Sequence, residues 1–231
     1  MTAKVCLVTG SSYGLGSDIA KQLSRSGWQV ILVARSEDKL AKVKADIESE
    51  GGVAESMPCD ITDKASVAAL KEVVDDKYPG GVDCVINNAA YVPPLHNFVT
   101  GDVEEWEKCV GVNVWGALNI TRYHNSNKCK YSPFLIFRTF LPSMVQNKRG
   151  QIFFISSKAG VTPSAGLAVH SGTKHMVEAL AKSLRLELKG SGVGVGVIRP
   201  GGINTPGNDL TSGCQTSDSA NSSKFHHFPC F

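Results

Sequence analysis

The chain has 231 residues, 42% of them hydrophobic and 19% charged, which is enough to bury one core and too apolar for a chain disordered throughout. Its longest apolar stretches, such as Val30 to Ala34 and Ile152 to Ile155, fall far short of the roughly 18 residues that a membrane-spanning helix requires. Twenty-four basic and 21 acidic side chains are spread along it for a net charge of +3, so there is no basic stripe for nucleic acid and no polybasic run for an anionic membrane.

Met1-Thr2-Ala3-Lys4 runs straight into a strand-like segment without the charged and apolar regions of a signal peptide. Strands are expected at Lys4–Val8, Gln29–Ala34, Val53–Met57, Val82–Asn87, Gln151–Ile155 and Val193–Ile198. Their apolar residues run almost continuously, as when helices cover both faces of a sheet. Between them, helical spacing appears at Leu15, Ile19, Leu23; at Leu40, Val43, Ile47; at Val67, Leu70, Val73, Val74; and at Met176, Leu180, Leu184, Leu188. Ser36 and Thr62 are expected to supply N-cap hydroxyls. Right-handed crossovers through these elements give an α/β fold, a doubly wound, Rossmann-type parallel sheet of six strands.

Two segments break the alternation. The helical stretch Trp106 to Arg122 is followed by 123–138, which starts polar, carries Pro133 and ends apolar; it reads as an insertion. Its removal would join Arg122 to Thr139 in one amphipathic helix. The domain is therefore expected over 1–206, and 207–231, rich in Gly, Ser, Thr and Asn, reads as a poorly ordered tail. Seven scattered cysteines without a C-x-x-C pair suggest neither a disulfide framework nor a zinc site, and with them a reduced, cytoplasmic setting.

The first strand ends in Thr9-Gly10-Ser11-Ser12-Tyr13-Gly14-Leu15-Gly16, and a helix begins at once. Glycines let the backbone approach a pyrophosphate, and the helix N-terminus offers unpaired N–H groups to it, so this turn is a candidate dinucleotide site. At the end of strand two, an acid would accept hydrogen bonds from the adenosine ribose. The sequence there is Val33-Ala34-Arg35-Ser36, and Arg35 can instead pair with a 2′-phosphate, which favours NADP(H) over NAD(H).

The Gly-x-x-x-Gly-x-Gly spacing, followed in order by Asp60, Asn87-Asn88-Ala89, Asn113, Ser157, Lys174 and Pro200-Gly201-Gly202-Ile203-Asn204-Thr205, resembles the short-chain dehydrogenase/reductase family over 4–206 apart from the insertion. The resemblance implies that Gly10, Ser12, Tyr13, Gly14, Leu15, Gly16 and Arg35 bind the cofactor, with Asp60 and Ile61 near its adenine. Asn87, Asn88 and Ala89 would lie beside it, and Pro200, Gly201, Ile203 and Thr205 along its nicotinamide. Each of these has a plainer alternative: Asp60 can cap Thr62-Asp63, and Asn-Asn can satisfy a turn.

The family's catalytic tyrosine stands four residues before the lysine and thirteen after the serine, and here both counts lead to His170. All five tyrosines precede this segment. By the resemblance, Ser157 would hold the substrate oxygen, Lys174 the nicotinamide ribose, and Asn113 a water of a proton relay, with His170 as acid or base. His170 and Lys174 are one helical turn apart and share a face. The expected function is hydride transfer between NADP(H) and a carbonyl or secondary alcohol of a small or lipid-like substrate. The alternative is a nucleotide-binding pseudoenzyme or truncated isoform. The family's last strand and lid are not legible here, and the insertion counts against the homo-oligomer usual among relatives.

Overall fold

The computed structural model describes residues 3–121 and 139–201. Six strands, β1 (Val5–Thr9), β2 (Gln29–Ala34), β3 (Val53–Pro58), β4 (Cys84–Asn87), β5 (Gly150–Ile155) and β6 (Val193–Ile198), form one sheet in the order β3-β2-β1-β4-β5-β6. Every neighbouring pair is parallel, with Val8 opposite Leu32 on one side and Ile86 on the other. This is the doubly wound order expected from the sequence, reversing direction between β1 and β4.

The helices are α1 (Gly14–Arg25), α2 (Glu37–Ser49), α3 (Lys64–Lys77), α4 (Val103–Val110), α5 (Ala117–Thr121), α6 (Phe140–Gln146) and α7 (Ala168–Glu187). Alternation along the strands divides the apolar runs between two cores. Cys6, Val8, Val30, Leu32, Cys84 and Ile86 pack with Ile19, Leu23, Leu40 and Ile47 of α1 and α2. Val5, Leu7, Ile31, Val33, Val85, Ile152 and Phe154 pack on the other face with residues of α3, α5, α6 and α7. That two-sided burial explains why the strands carry continuous apolar sequence.

Several local expectations change. The N-cap of α3 is Asp63, whose carboxylate accepts from the Ala65 and Ser66 amides, and not Thr62. Thr62 is instead held by Asp60. Ser36 stands at the N-cap of α2 without a side-chain capping bond. Met176 and Val73 are exposed; the buried face of α7 carries His170, Ser171, Thr173, Lys174, Val177, Glu178 and Ala181. The stretch expected as one α-helix from Trp106 begins at Val103 and contains a π-helical turn, Gly111–Gly116, between α4 and α5.

The expected insertion at 123–138, the tail 207–231, and the site candidates Ile203 and Thr205 lie outside the described residues. On either side of segment 123–138, the Thr139 hydroxyl donates to the Asn119 carbonyl at 2.8 Å. Among the described residues, β6 pairs with β5 alone.

Phe154, on β5, is fully buried. Phe154→Ala is expected to lower stability by about 3–5 kcal/mol through lost burial and the cavity left behind, read as a fall in the urea midpoint.

Candidate active site

Because the strands are parallel, one edge of the sheet collects the candidate residues. Gly10 follows β1, Arg35 follows β2, Asp60 lies beyond β3, Asn88 follows β4, Ser157 lies just beyond β5, and Pro200 lies just beyond β6. The chain order reverses between β1 and β4, and outside this carboxyl edge is where doubly wound sheets form their ligand crevice.

That crevice is tied by a hydrogen-bonded knot. The Thr9 hydroxyl accepts from the Asn88 and Ala89 amides at 3.0 and 3.1 Å. In return the Asn88 side-chain amide donates to the Thr9 and Gly10 carbonyls at 2.9 and 3.1 Å. Gly10, at φ +66°, lies so close that a β-carbon would fall 2.7 Å from the Ala89 Cα. A β-carbon on Gly16 would fall 2.2 Å from the Gly10 carbonyl oxygen. The side chain of Asn88 and these two glycines therefore bring the start of α1 directly against the end of β1. The Ser11 hydroxyl accepts from the Val33 amide at 2.9 Å and fastens the same turn to β2.

Tyr13, extended at the N-cap of α1, makes no side-chain capping bond, and the first turn holds no acid. Its amides and the positive end of the helix dipole are open to an anion. Arg35 is exposed and pairs with no described residue. These features fit a pyrophosphate-bearing dinucleotide. Asp60 fits less completely, since its Oδ1 is engaged by the Thr62 amide at 2.9 Å and the Thr62 hydroxyl at 2.7 Å. Asn87 is buried, donates to the Thr121 hydroxyl at 3.0 Å, and keeps an unpartnered Oδ1.

The second half of the site joins the π turn, the Tyr91 segment and α7. Asn113 accepts from the Tyr91 amide at 2.7 Å and donates to the Tyr91 carbonyl at 2.9 Å. It also donates to the Thr173 hydroxyl at 3.1 Å and to Cys109 Sγ at 3.3 Å. Its side chain is thus committed to holding Tyr91 and α7.

Lys174 is buried and donates from Nζ to the Ile155 carbonyl at 2.8 Å. Burial lowers its ammonium to about 8, with Cys109 opposing, so it stays mostly charged at neutral pH. His170 is 5% exposed and its Nδ1 has no partner. Burial first, and then the Lys174 charge, lower its imidazole from 6.5 to about 4, against a weaker backbone contribution from Tyr91. The ring is neutral across the physiological range, able to accept a proton and poor at giving one. The Ser157 hydroxyl accepts from the Ala159 amide at 3.1 Å at the start of a short 3-10 turn, Lys158–Gly160. Beside Pro200 and Gly201, Arg199 makes a two-pronged bond to Glu178 of α7, both contacts at 2.6 Å, which holds the Glu178 carboxyl below its ordinary range.

The sequence profile described as short chain dehydrogenase matches residues 4–127 and 130–212. The chain belongs to the short-chain dehydrogenase family. It is 33% identical over 205 residues to an uncharacterized oxidoreductase of Staphylococcus saprophyticus, covering 88% of this chain and 80% of that one. Among solved structures it resembles a metagenomic short-chain oxidoreductase in complex with NADP, at a TM-score of 0.75 and 32% identity, over 88% of this chain and 84% of that one. It also resembles an NAD+-bound xylitol dehydrogenase, at a TM-score of 0.76 and 25% identity, over 86% and 70%.

Sequence reasoning missed Thr9 as the tie across the crevice, Tyr91 as a main-chain element of the site, and Cys109 and Thr173 around Asn113. A threonine before the glycine turn could have signalled the first. The contacts of Tyr91 with Asn113 and Cys109 are made by its backbone and leave no mark in residue type.

A folded imidazole near 4 against 6.5 unfolded means that protons favour the unfolded chain. The corresponding stability is whole above pH 6.5 and is lost as the pH falls toward 4, amounting to about 3 kcal/mol. Urea unfolding of the wild type and of His170→Gln should therefore converge by about 2–3 kcal/mol between about pH 7 and about pH 4.5. Parallel curves would contradict a buried neutral ring.

Proposed function

We propose that this chain binds NADP(H) at the carboxyl edge of its sheet and exchanges a hydride between it and a carbonyl or secondary alcohol of a small or lipid-like substrate. The observation that carries the reading is the cradle at the crevice, where Gly10 and Gly16 admit no β-carbon and the first turn of α1 presents uncapped amides. In this reading the amides of Gly14, Leu15 and Gly16, with Ser12 and Tyr13 beside them, receive the pyrophosphate. Arg35 receives the 2′-phosphate through a charge-assisted fork. Asp60 and Ile61 border the adenine, Asn87, Asn88 and Ala89 the middle of the cofactor, and Pro200, Gly201, Ile203 and Thr205 its nicotinamide end.

When bound, the nicotinamide gives or takes the hydride; the chain's own residues manage the proton and the substrate oxygen. Ser157 orients that oxygen, and Lys174 places a positive charge beside the ribose and His170. His170, neutral above about pH 4, removes the hydroxyl proton of an alcohol. Oxidation is therefore the direction its chemistry suits, since reduction would draw a proton from an imidazole that holds none to spare. Asn113 positions Tyr91 at the wall of the site.

A second reading, a nucleotide-binding protein without turnover, is favoured by the cover over His170 and by the bond that holds Lys174 Nζ to Ile155. The domain is proposed to run over 1–206 with 123–138 inserted. Thr139 would then be the fourth residue after Asn119, and its bond to the Asn119 carbonyl is the i to i−4 contact of one helix. The free buried thiols of Cys6, Cys59, Cys84 and Cys109 support a reducing, cytoplasmic setting. No described helix is long and apolar enough to cross a membrane.

NADPH and NADH titrated against the wild type should differ in affinity by roughly tenfold or more in favour of NADPH, and Arg35→Asp should remove that difference. An unchanged preference in Arg35→Asp would contradict the role given to Arg35. Turnover on a panel of secondary alcohols and ketones, compared with His170→Tyr, separates the two readings. An inert wild type beside an active tyrosine variant would establish the nucleotide-binding reading.

A further inference from the structure

Thr173 lies between the two proposed active-site residues of α7, and its hydroxyl makes two contacts of different kinds. It donates its one proton to the His170 carbonyl at 2.7 Å, a bond within its own helix. By itself this is the ordinary back-bonding of a threonine in a helix. With the proton used, Oγ1 faces the π turn as an acceptor, and the Asn113 side-chain amide meets it at 3.1 Å across 60 residues of sequence.

A carboxamide has one accepting end and one donating end. An acceptor at Thr173, acting with the Tyr91 N–H and carbonyl, requires Asn113 to turn its nitrogen toward α7 and its oxygen toward the Tyr91 amide. The observed bonds agree: Oδ1 takes the Tyr91 N–H at 2.7 Å, and Nδ2 serves the Tyr91 carbonyl and Thr173. Rotating the amide by half a turn would set oxygen against oxygen at Thr173 and nitrogen against N–H at Tyr91. All of this occurs where burial makes unmet polar groups costly, since Asn113 and Thr173 are both buried.

We propose that Thr173 is a positioning residue that orients the Asn113 amide and thereby locks the Tyr91 backbone against the His170 ring. The charged group that acts on the ring is Lys174 on its own helix; Cys109 from α4 acts in turn on Lys174, and its thiol lies 4.0 Å from the Thr173 hydroxyl and 3.4 Å from the Tyr91 carbonyl. Cys109 Sγ also meets the Asn113 amide nitrogen at 3.3 Å, a second and weaker acceptor on the same side, so the hydroxyl of Thr173 is the stronger of the two groups that draw that nitrogen toward α7.

As a functional claim the proposal rests on His170 taking part in turnover, and its test is therefore read first without turnover. The His170 ring resonance, assigned by its loss in His170→Gln, is titrated by NMR in the wild type, Thr173→Val and Thr173→Ser. Valine keeps the shape and removes the acceptor; serine keeps the acceptor. The wild-type midpoint is expected near 4. Thr173→Val should move it upward by about half a unit or more, because the water admitted by a released Tyr91 segment relieves burial, the largest influence on the ring, and outweighs the loss of the weaker Tyr91 backbone contribution that holds the ring up. Thr173→Ser should restore it.

An unmoved midpoint in Thr173→Val would overturn the proposal, as would a serine variant as perturbed as the valine one, which would mean that packing alone is at work. If Thr173→Val does not fold, Thr173→Ala replaces it with the same expectations. With a turned-over substrate, Thr173→Val should lower kcat by roughly tenfold with the NADPH Kd unchanged. A wild type inert on every substrate would count against the catalytic reading while leaving the NMR comparison to decide the role of Thr173.

Discussion

The reciprocal bonding of Thr9 and Asn88 is the constraint on which the rest of the site depends. Two parallel strands diverge at the carboxyl edge of the sheet, and each would leave its next backbone amides unpaired. One hydroxyl accepts both amides after β4, and one carboxamide donates to both carbonyls after β1. The crevice is thereby held at a fixed width, and the remaining space at Gly10 and Gly16 is too small for any side chain. Backbone amides at the head of α1 are what this arrangement presents. They suit a phosphate without requiring a lysine or arginine in the turn.

The second half of the site is governed by burial. Lys174 and His170 lie on one face of α7 under the Tyr91 segment, and taking them from water lowers both their proton affinities. The lysine, held by the Ile155 carbonyl, remains charged; the histidine does not. A tyrosine in the same place would be a weak acid, with a proton to lend and a neighbouring cation to help it leave. A buried neutral imidazole is a weak base. In the proposed reading, a histidine in the tyrosine's place would change the chemistry available more than the arrangement around it, since α7, Lys174 and the bonds of Asn113 are all present.

The parts legible in the sequence are those governed by residue type at a fixed period. The six strands appear within one or two residues of where their apolar runs place them, because each run supplies both cores in alternation. The pairing of His170 with Lys174 follows from a spacing of one helical turn. The π turn at Gly111–Gly116 was not legible, because a single extra residue within a turn leaves the apolar pattern of Trp106 to Thr121 nearly intact. Asp63 and not Thr62 caps α3, since both side chains can serve and only the path of the backbone chooses between them. The tie between Asn113 and Tyr91 was not legible, because it is made by the Tyr91 main chain.

The central claim, that the Thr9–Asn88 knot builds the nucleotide cradle, is tested most directly by titrating NADPH against Thr9→Val. Valine keeps the volume and strands the Asn88 and Ala89 amides without their acceptor. With the far-UV spectrum of the folded chain retained, NADPH affinity should fall by roughly tenfold or more, in line with a loss of about 1–3 kcal/mol of local order. A folded Thr9→Val that binds NADPH as tightly as the wild type would contradict it.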